Sequence, residues 1–259
     1  MRSRVNVVSF NSIARGGLVD ETYALLSRWD FSVTREENFE RALASNYIGI
    51  RSVSYLRDIV KALKRRLDPE GRERGLTVMA QRSAPAHIFK PCLLWHLTLD
   101  EFLLRDFLLN WLYPAFHEHA LVVRSEQLHP FLRAIKSRGG QVKQHWTQLT
   151  IERAATALLR IAADFGLVNE GSPKRFLSYS LPEEAFVYVL HGLAEVRGST
   201  SAAVRSHDWR MFLMHPADVE RELLRLHQYR KLEYQVAGSL VQLTLPCSSS
   251  REYAERMVA

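Results

Sequence analysis

The chain has 259 residues, 47% of them hydrophobic, with 35 Lys and Arg against 28 Asp and Glu and a formal charge of +7. That apolar content is enough for packed cores and sets disorder aside, while the positive excess favours polyanionic partners, nucleic acid or an anionic membrane. Cys92 and Cys247 lie far apart with no CxxC or Cys/His ligand spacing, so neither a disulfide framework nor a zinc site is indicated, and a reducing compartment fits.

The N-terminus begins basic at Arg2 and Arg4 but turns polar at Asn11 and Ser12 before the core of an export signal accumulates. From 20 to 67 the apolar spacing predicts three helices, carried by Tyr23, Leu25 and Leu26, then Phe39, Leu43 and Ile48, then Val53, Leu56, Val60, Leu63 and Leu67. Ser52 and Ser54 are alternative N-caps for the third, Asp68-Pro69 ends it, and Arg57, Lys61, Lys64 and Arg65 form a basic ridge on its outer side. The Arg-rich stretch 70–85 reads as a linker.

The apolar run 88–116 is interrupted by Lys90, Asp100, Glu101, Arg105 and Asp106, which is costly in a lipid-exposed span, so it is expected to be a buried core helix with a narrow polar stripe. Two later stretches have the order helix, turn, helix, hairpin of a winged helix-turn-helix. In the first, Leu128, Phe131, Leu132 and Ile135 predict a helix over 125–136, stopped at Arg138-Gly139-Gly140, and a short second helix is placed over 141–148. Thr150 is taken as the N-cap of a third helix whose inward face is Ile151, Ala154, Ala155, Leu158, Ala162 and Phe165.

Alternation over 175–181, after a turn at 169–174, predicts a hairpin with a basic tip, and a closing helix is expected over 183–196. The second stretch runs a helix over 218–228 after Pro216, then a hairpin from 232–236 and 240–245. The tail after Cys247 is expected to fray.

A winged domain lays its third helix in the major groove and contacts phosphates with its hairpin, so cations belong on that helix's outer face and on the wing. Arg153, Thr156 and Arg160 are the candidates on the helix, Lys143, Thr147, Gln148 and Thr150 at its start, and Lys174 and Arg175 on the wing. Arg221 and Arg225, with Gln228, face outward on the corresponding helix of the second unit. The bland alternative is that all of these are ordinary solvated faces. The five tryptophans are scattered without an aromatic-basic repeat, which favours core roles over a stacking platform for single strands.

No GxxxxGK[ST], GxGxxG, HExxH or GxSxG motif occurs, His117-Glu118-His119 has its histidines splayed by their spacing on a helix, and His207-Asp208 has no nucleophile beside it. No catalytic residue, metal or cofactor is expected.

Gly16-Gly17-Leu18-Val19-Asp20-Glu21-Thr22, Asn46-Tyr47, the 52–67 helix with Arg57, Ile59 and Arg66-Leu67, Leu93-Leu94-Trp95, the run 104–109 and Phe165-Gly166-Leu167-Val168 occur in an order that resembles the BrxA family of BREX phage-defence systems, once labelled inner membrane proteins. The resemblance spans 16–195 and gives least guidance after Gly198. It implies a helical, non-enzymatic protein that binds double-stranded DNA beside other defence proteins.

The expected fold is therefore mainly α: a helical region over 1–120, a winged unit over 121–198 and a second winged-helix-like unit over 199–259, in a cytoplasmic protein. A scaffold for the defence complex and an RNA-binding antitermination-like factor are the alternatives to duplex-DNA binding, with a nuclease or methyltransferase a distant fourth.

Overall fold

Apolar residues at helical spacing become helix along most of the chain in the computed structural model, which describes residues 6–8, 10–142, 145–238 and 240–257. A short strand, Val7–Val8 (β1), and one helical turn, Phe10–Ile13 (α1), lead to Val19–Ser27 (α2), Arg35–Ser45 (α3) and Val53–Arg66 (α4), the three helices the spacing predicts. Thr34 and Glu37 cap α3 reciprocally, with the Thr34 amide donating to Glu37 Oε2 at 2.8 Å and the Glu37 amide to Thr34 Oγ1 at 3.2 Å. Ser52 is the cap of α4, accepting from the Tyr55 amide at 3.3 Å. Leu56, Val60, Leu63 and Leu67 are buried, but Val53 is 62% exposed, because the first turn of α4 projects past the core.

The expected linker contains a helix, Arg74–Gln81 (α5), with Leu76, Met79 and Ala80 buried. Its apolar run is too short to show a period, and the arginines around it dominate the local composition. One of them, Arg72, is instead structural, donating to Glu73 at 2.7 Å and to Asp100 at 2.6 Å.

The apolar run becomes Ala86–Asp100 (α6), Phe102–Phe107 (α7), a π-helical turn over Leu108–Leu112 and Tyr113–His117 (α8). Leu103, Leu104, Phe107, Leu108 and Leu112 are buried, and so is Asp106 of the polar stripe, which accepts from Arg138 at 2.9 Å and from Asn110 at 2.8 Å. Among the described residues no helix is long and apolar enough to cross a membrane.

The first expected winged unit differs from its prediction. The 125–136 helix is broken into a 3-10 turn, Ser125–Leu128, the short helix His129–Arg133 (α9) and a second 3-10 turn, Ile135–Arg138, although Leu128, Leu132 and Ile135 are all buried. Among the described residues no second helix forms over 141–147: Gln141–Val142 (β2) pairs in parallel with β1, Val7 opposite Gln141 and Val8 opposite Val142. Gly139, in the left-handed region at φ 89°, turns the chain, and a Cβ on Gly140 would lie 2.8 Å from Ile135 Cγ1 and 3.0 Å from Val8 Cγ2. The strand partner comes from the far end of the sequence, where no local pattern points to it.

Gln148–Asp164 (α10) follows, capped by Thr147, whose Oγ1 accepts from the Thr150 amide at 3.2 Å, so Thr150 lies inside the helix rather than at its cap. The predicted inward residues of α10 are buried, from Ile151 to Phe165. The wing is a patch of isolated bridges: Val168 opposes Phe176, Val123 opposes Lys174, and no strand continues to 181.

Glu183–Arg197 (α11) runs through the middle of the core with every residue from Ala185 to Leu193 buried, and ends at Gly198 in the left-handed region (φ 71°). Thr200–Val204 (α12), a 3-10 turn over His207–Phe212 and Pro216–Gln228 (α13) precede Glu233–Ala237 (β3) and Leu240–Thr244 (β4), antiparallel with Glu233 opposite Thr244. The order helix, turn, helix, hairpin is thus found in this second stretch.

The described part of the tail is ordered: Ser250–Met257 (α14) packs on α5 and α11, buries Ala254 and is pinned by Glu195, which accepts from the Ser250 amide at 2.6 Å. Asp208, fully buried, receives Arg105 at 2.6 Å and Arg197 at 3.4 Å, tying α7 to the segment after α12. One continuous apolar cluster reaches from Val8 to Ala254.

Candidate nucleic-acid interface

The spacing of Arg153, Thr156 and Arg160 puts them in one stripe, and all three are exposed on the outer side of α10. Thr156 turns its hydroxyl back to the Glu152 carbonyl at 3.0 Å, whereas Arg153 and Arg160 form no ion pair with any described residue. Beside them Phe10, Ala14 and Leu149 line a shallow groove of about 360 Å³ between α1 and α10.

Arg57, Lys61, Lys64 and Arg65 are likewise exposed along α4. Lys64 approaches Glu36 at 3.3 Å, and no described carboxylate pairs with Arg57, Lys61 or Arg65. The loop at Gly16-Gly17 is bonded to both helices. Buried Arg66 of α4 donates to the Gly16 carbonyl at 3.0 Å, and Arg15 grips Asp58 of α4 at 2.6 Å. On the other side the Gly17 amide donates to Asp164 of α10 at 2.7 Å. A Cβ on Gly16 would stand 3.0 Å from Asp164 Oδ2 and 3.4 Å from Arg160 Nε, and Gly16 has φ +78°, so the close approach requires glycine.

The remaining candidates are held in other ways. Thr147 is occupied as the cap, and Gln148 accepts from Arg133 at 2.7 Å while donating to Glu152 at 2.8 Å. Lys174 is half-buried with its ammonium on the Glu170 carbonyl at 2.8 Å, while Arg175 is exposed and its backbone amide donates to Asn169 at 2.8 Å. Arg221 pairs with Asp218, and Arg225 with Glu222 and with Glu183 at 2.9 Å, so α13 offers largely neutralised cations. Lys143 lies outside the described residues.

Trp29, Trp95 and Trp209 are core side chains, and Trp111 and Trp146 are half-buried. His117, Glu118 and His119 are exposed where α8 ends, and among the described residues no group of three or more metal-ligating side chains gathers. Sequence reasoning missed Arg133, Lys136 and His145, which ring a pocket at the start of α10. The sequence signal is the pair of basic residues on α9 and the turn after it, Arg133 and Lys136, which the sequence analysis does not single out.

Fold and surface together define a mainly helical protein with small β-pairs and exposed cations on α4 and α10. The BrxA family model matches residues 9–191, well over half the chain, and the chain belongs to that family, a component of BREX systems. A comparison with curated proteins finds no match.

Proposed function

We propose that this chain is a non-enzymatic, double-stranded DNA-binding component of a BREX anti-phage system, acting in the cytoplasm. The observation that carries the reading is that α4 and α10, bonded to one Gly16-Gly17 loop, each expose cations with no ion pair among the described residues: Arg57, Lys61 and Arg65 on α4, Arg153 and Arg160 on α10. Such a surface suits the phosphate backbone, whose neutralisation releases counterions and supplies most sequence-independent affinity. Base readout is limited to what Arg153, Thr156 and Arg160 reach.

Binding of duplex DNA, duplex RNA and single strands, measured side by side over a salt series, tests it. Duplex DNA is expected to bind best and to weaken steeply with salt, with the DNA recovered uncut and unmodified after incubation with Mg²⁺. Equal or tighter binding of RNA or single strands contradicts the reading.

A second reading has one observation of its own. On α13 the arginines are paired with carboxylates, while Leu224 (45%) and Tyr229 (66%) are exposed. That surface suits another defence protein better than a phosphate backbone, so the C-terminal unit is assigned to docking within the complex.

A further inference from the structure

Between α9, the turn after it and the first turns of α10 lies a pocket of about 480 Å³. Volumes of roughly 300–1,000 Å³ suit small ligands. Its floor is apolar, formed by buried Leu132, Ile135 and Ile151, and Val142, held in place by the β1–β2 pairing, closes one side. The half-buried indole of Trp146 makes an aromatic wall. Around the mouth stand Arg133, Lys136 and His145, all exposed, and no acidic side chain is among its described lining residues. The grooves on α10 and α13 each carry a glutamate.

An apolar floor, a flat aromatic face and a rim of basic residues with Gln148 match a ligand with a planar ring at one end and an anion at the other. We propose that this pocket binds a nucleoside phosphate, with the base against Trp146 and the phosphate held by Arg133 and Lys136. Arg133 is already oriented there by its 2.7 Å hydrogen bond to Gln148 and keeps other guanidinium donors for phosphate. The nucleotide is either free or the unpaired end of a nucleic-acid strand, and the recognising chemistry is the same. The assignment goes beyond duplex binding, which uses the outer faces of α4 and α10.

Isothermal titration of the full chain with AMP, with adenosine and inorganic phosphate as single-ended controls, reads the free source. A competition between a blunt DNA duplex and the same duplex carrying one unpaired 3′ nucleotide reads the strand-end source. The expected result is saturable AMP binding at one per chain, tighter than either control, or preference for the overhang over the blunt end. In either case Trp146→Ala lowers the affinity about 5- to 150-fold, the range for loss of one stacked base. Arg133→Ala with Lys136→Ala lowers it as well, and because both side chains are exposed this second variant keeps its fold.

Absence of both saturable AMP binding and overhang preference overturns the proposal, as does inorganic phosphate bound as tightly as AMP, or affinity unchanged in both variants. Blunt-duplex affinity depends on Arg153 and Arg160, outside this pocket, so failure here and failure of the duplex reading are told apart.

Discussion

Gly192 shows how closely this core is packed at the scale of one residue. It lies on α11 where α6 crosses, and a Cβ there would fall 2.2 Å from Trp95 Cη2. Gly192→Ala is therefore expected to lower stability by about 1–3 kcal/mol, as overpacking does, in a urea unfolding series. An unchanged midpoint contradicts the packing described. The sequence offers no sign of this contact, because a lone glycine in a helical pattern reads as a tolerated weakness until its neighbour is known.

His191, one residue earlier, is buried against the Tyr253 ring at 5.5 Å, with its Nε2 unpartnered among the described residues. Burial pushes its imidazole down from 6.5 to about 4. The native state therefore keeps His191 neutral while the unfolded chain takes up a proton. Its contribution is fully present above pH 6.5 and is lost as the pH falls towards 4, on the order of 3 kcal/mol in all. His96, buried and pushed down in the same sense, adds to the slope. Unfolding free energies measured between pH 7 and 4 should fall less steeply for His191→Gln than for the native chain. Parallel profiles contradict this.

At the scale of an element, the start of α10 separates what the pattern reveals from what geometry decides. The apolar stripe from Ile151 to Phe165 is legible because burial at period 3.6 leaves its mark on sequence. The cap is not: Thr147 and Thr150 are both good cap residues, and the choice depends on where the chain leaves β2. Thr147→Ala is expected to cost about 1 kcal/mol and Thr150→Ala less than about 0.5 kcal/mol in thermal unfolding. The reverse order places the helix start at Thr150.

The same limit explains the missing helix over 141–148 and the unexpected α5. A two-residue parallel pairing with Val7–Val8 and an eight-residue buried helix carry too few residues for a periodic signal. The second hairpin was legible because turn residues around Gly238 separate two strands of matched length.

At the scale of the whole molecule, packing connects parts that look separate in the sequence. α14 closes over α5 and α11, and Asp208 joins Arg105 to Arg197, so one apolar cluster spans the chain. Surface charge follows a different division. The candidate cations after Pro216 are paired with carboxylates, whereas Arg57, Lys61, Arg65, Arg153 and Arg160 are exposed without described carboxylate partners. Charge totals could not reveal this, because ion pairing depends on which acidic residues the fold brings near.

In the proposed function the exposed faces of α4 and α10 grip one duplex. The most direct measurement is the slope of log affinity for duplex DNA against log salt, compared between the native chain and two variants. One carries Arg57→Ala, Lys61→Ala and Arg65→Ala, and the other Arg153→Ala and Arg160→Ala. Each set is expected to weaken binding and to reduce the slope by roughly one unit per phosphate contact removed, with unfolding midpoints unchanged because every altered side chain is exposed. Native affinity and slope in both variants contradict the account.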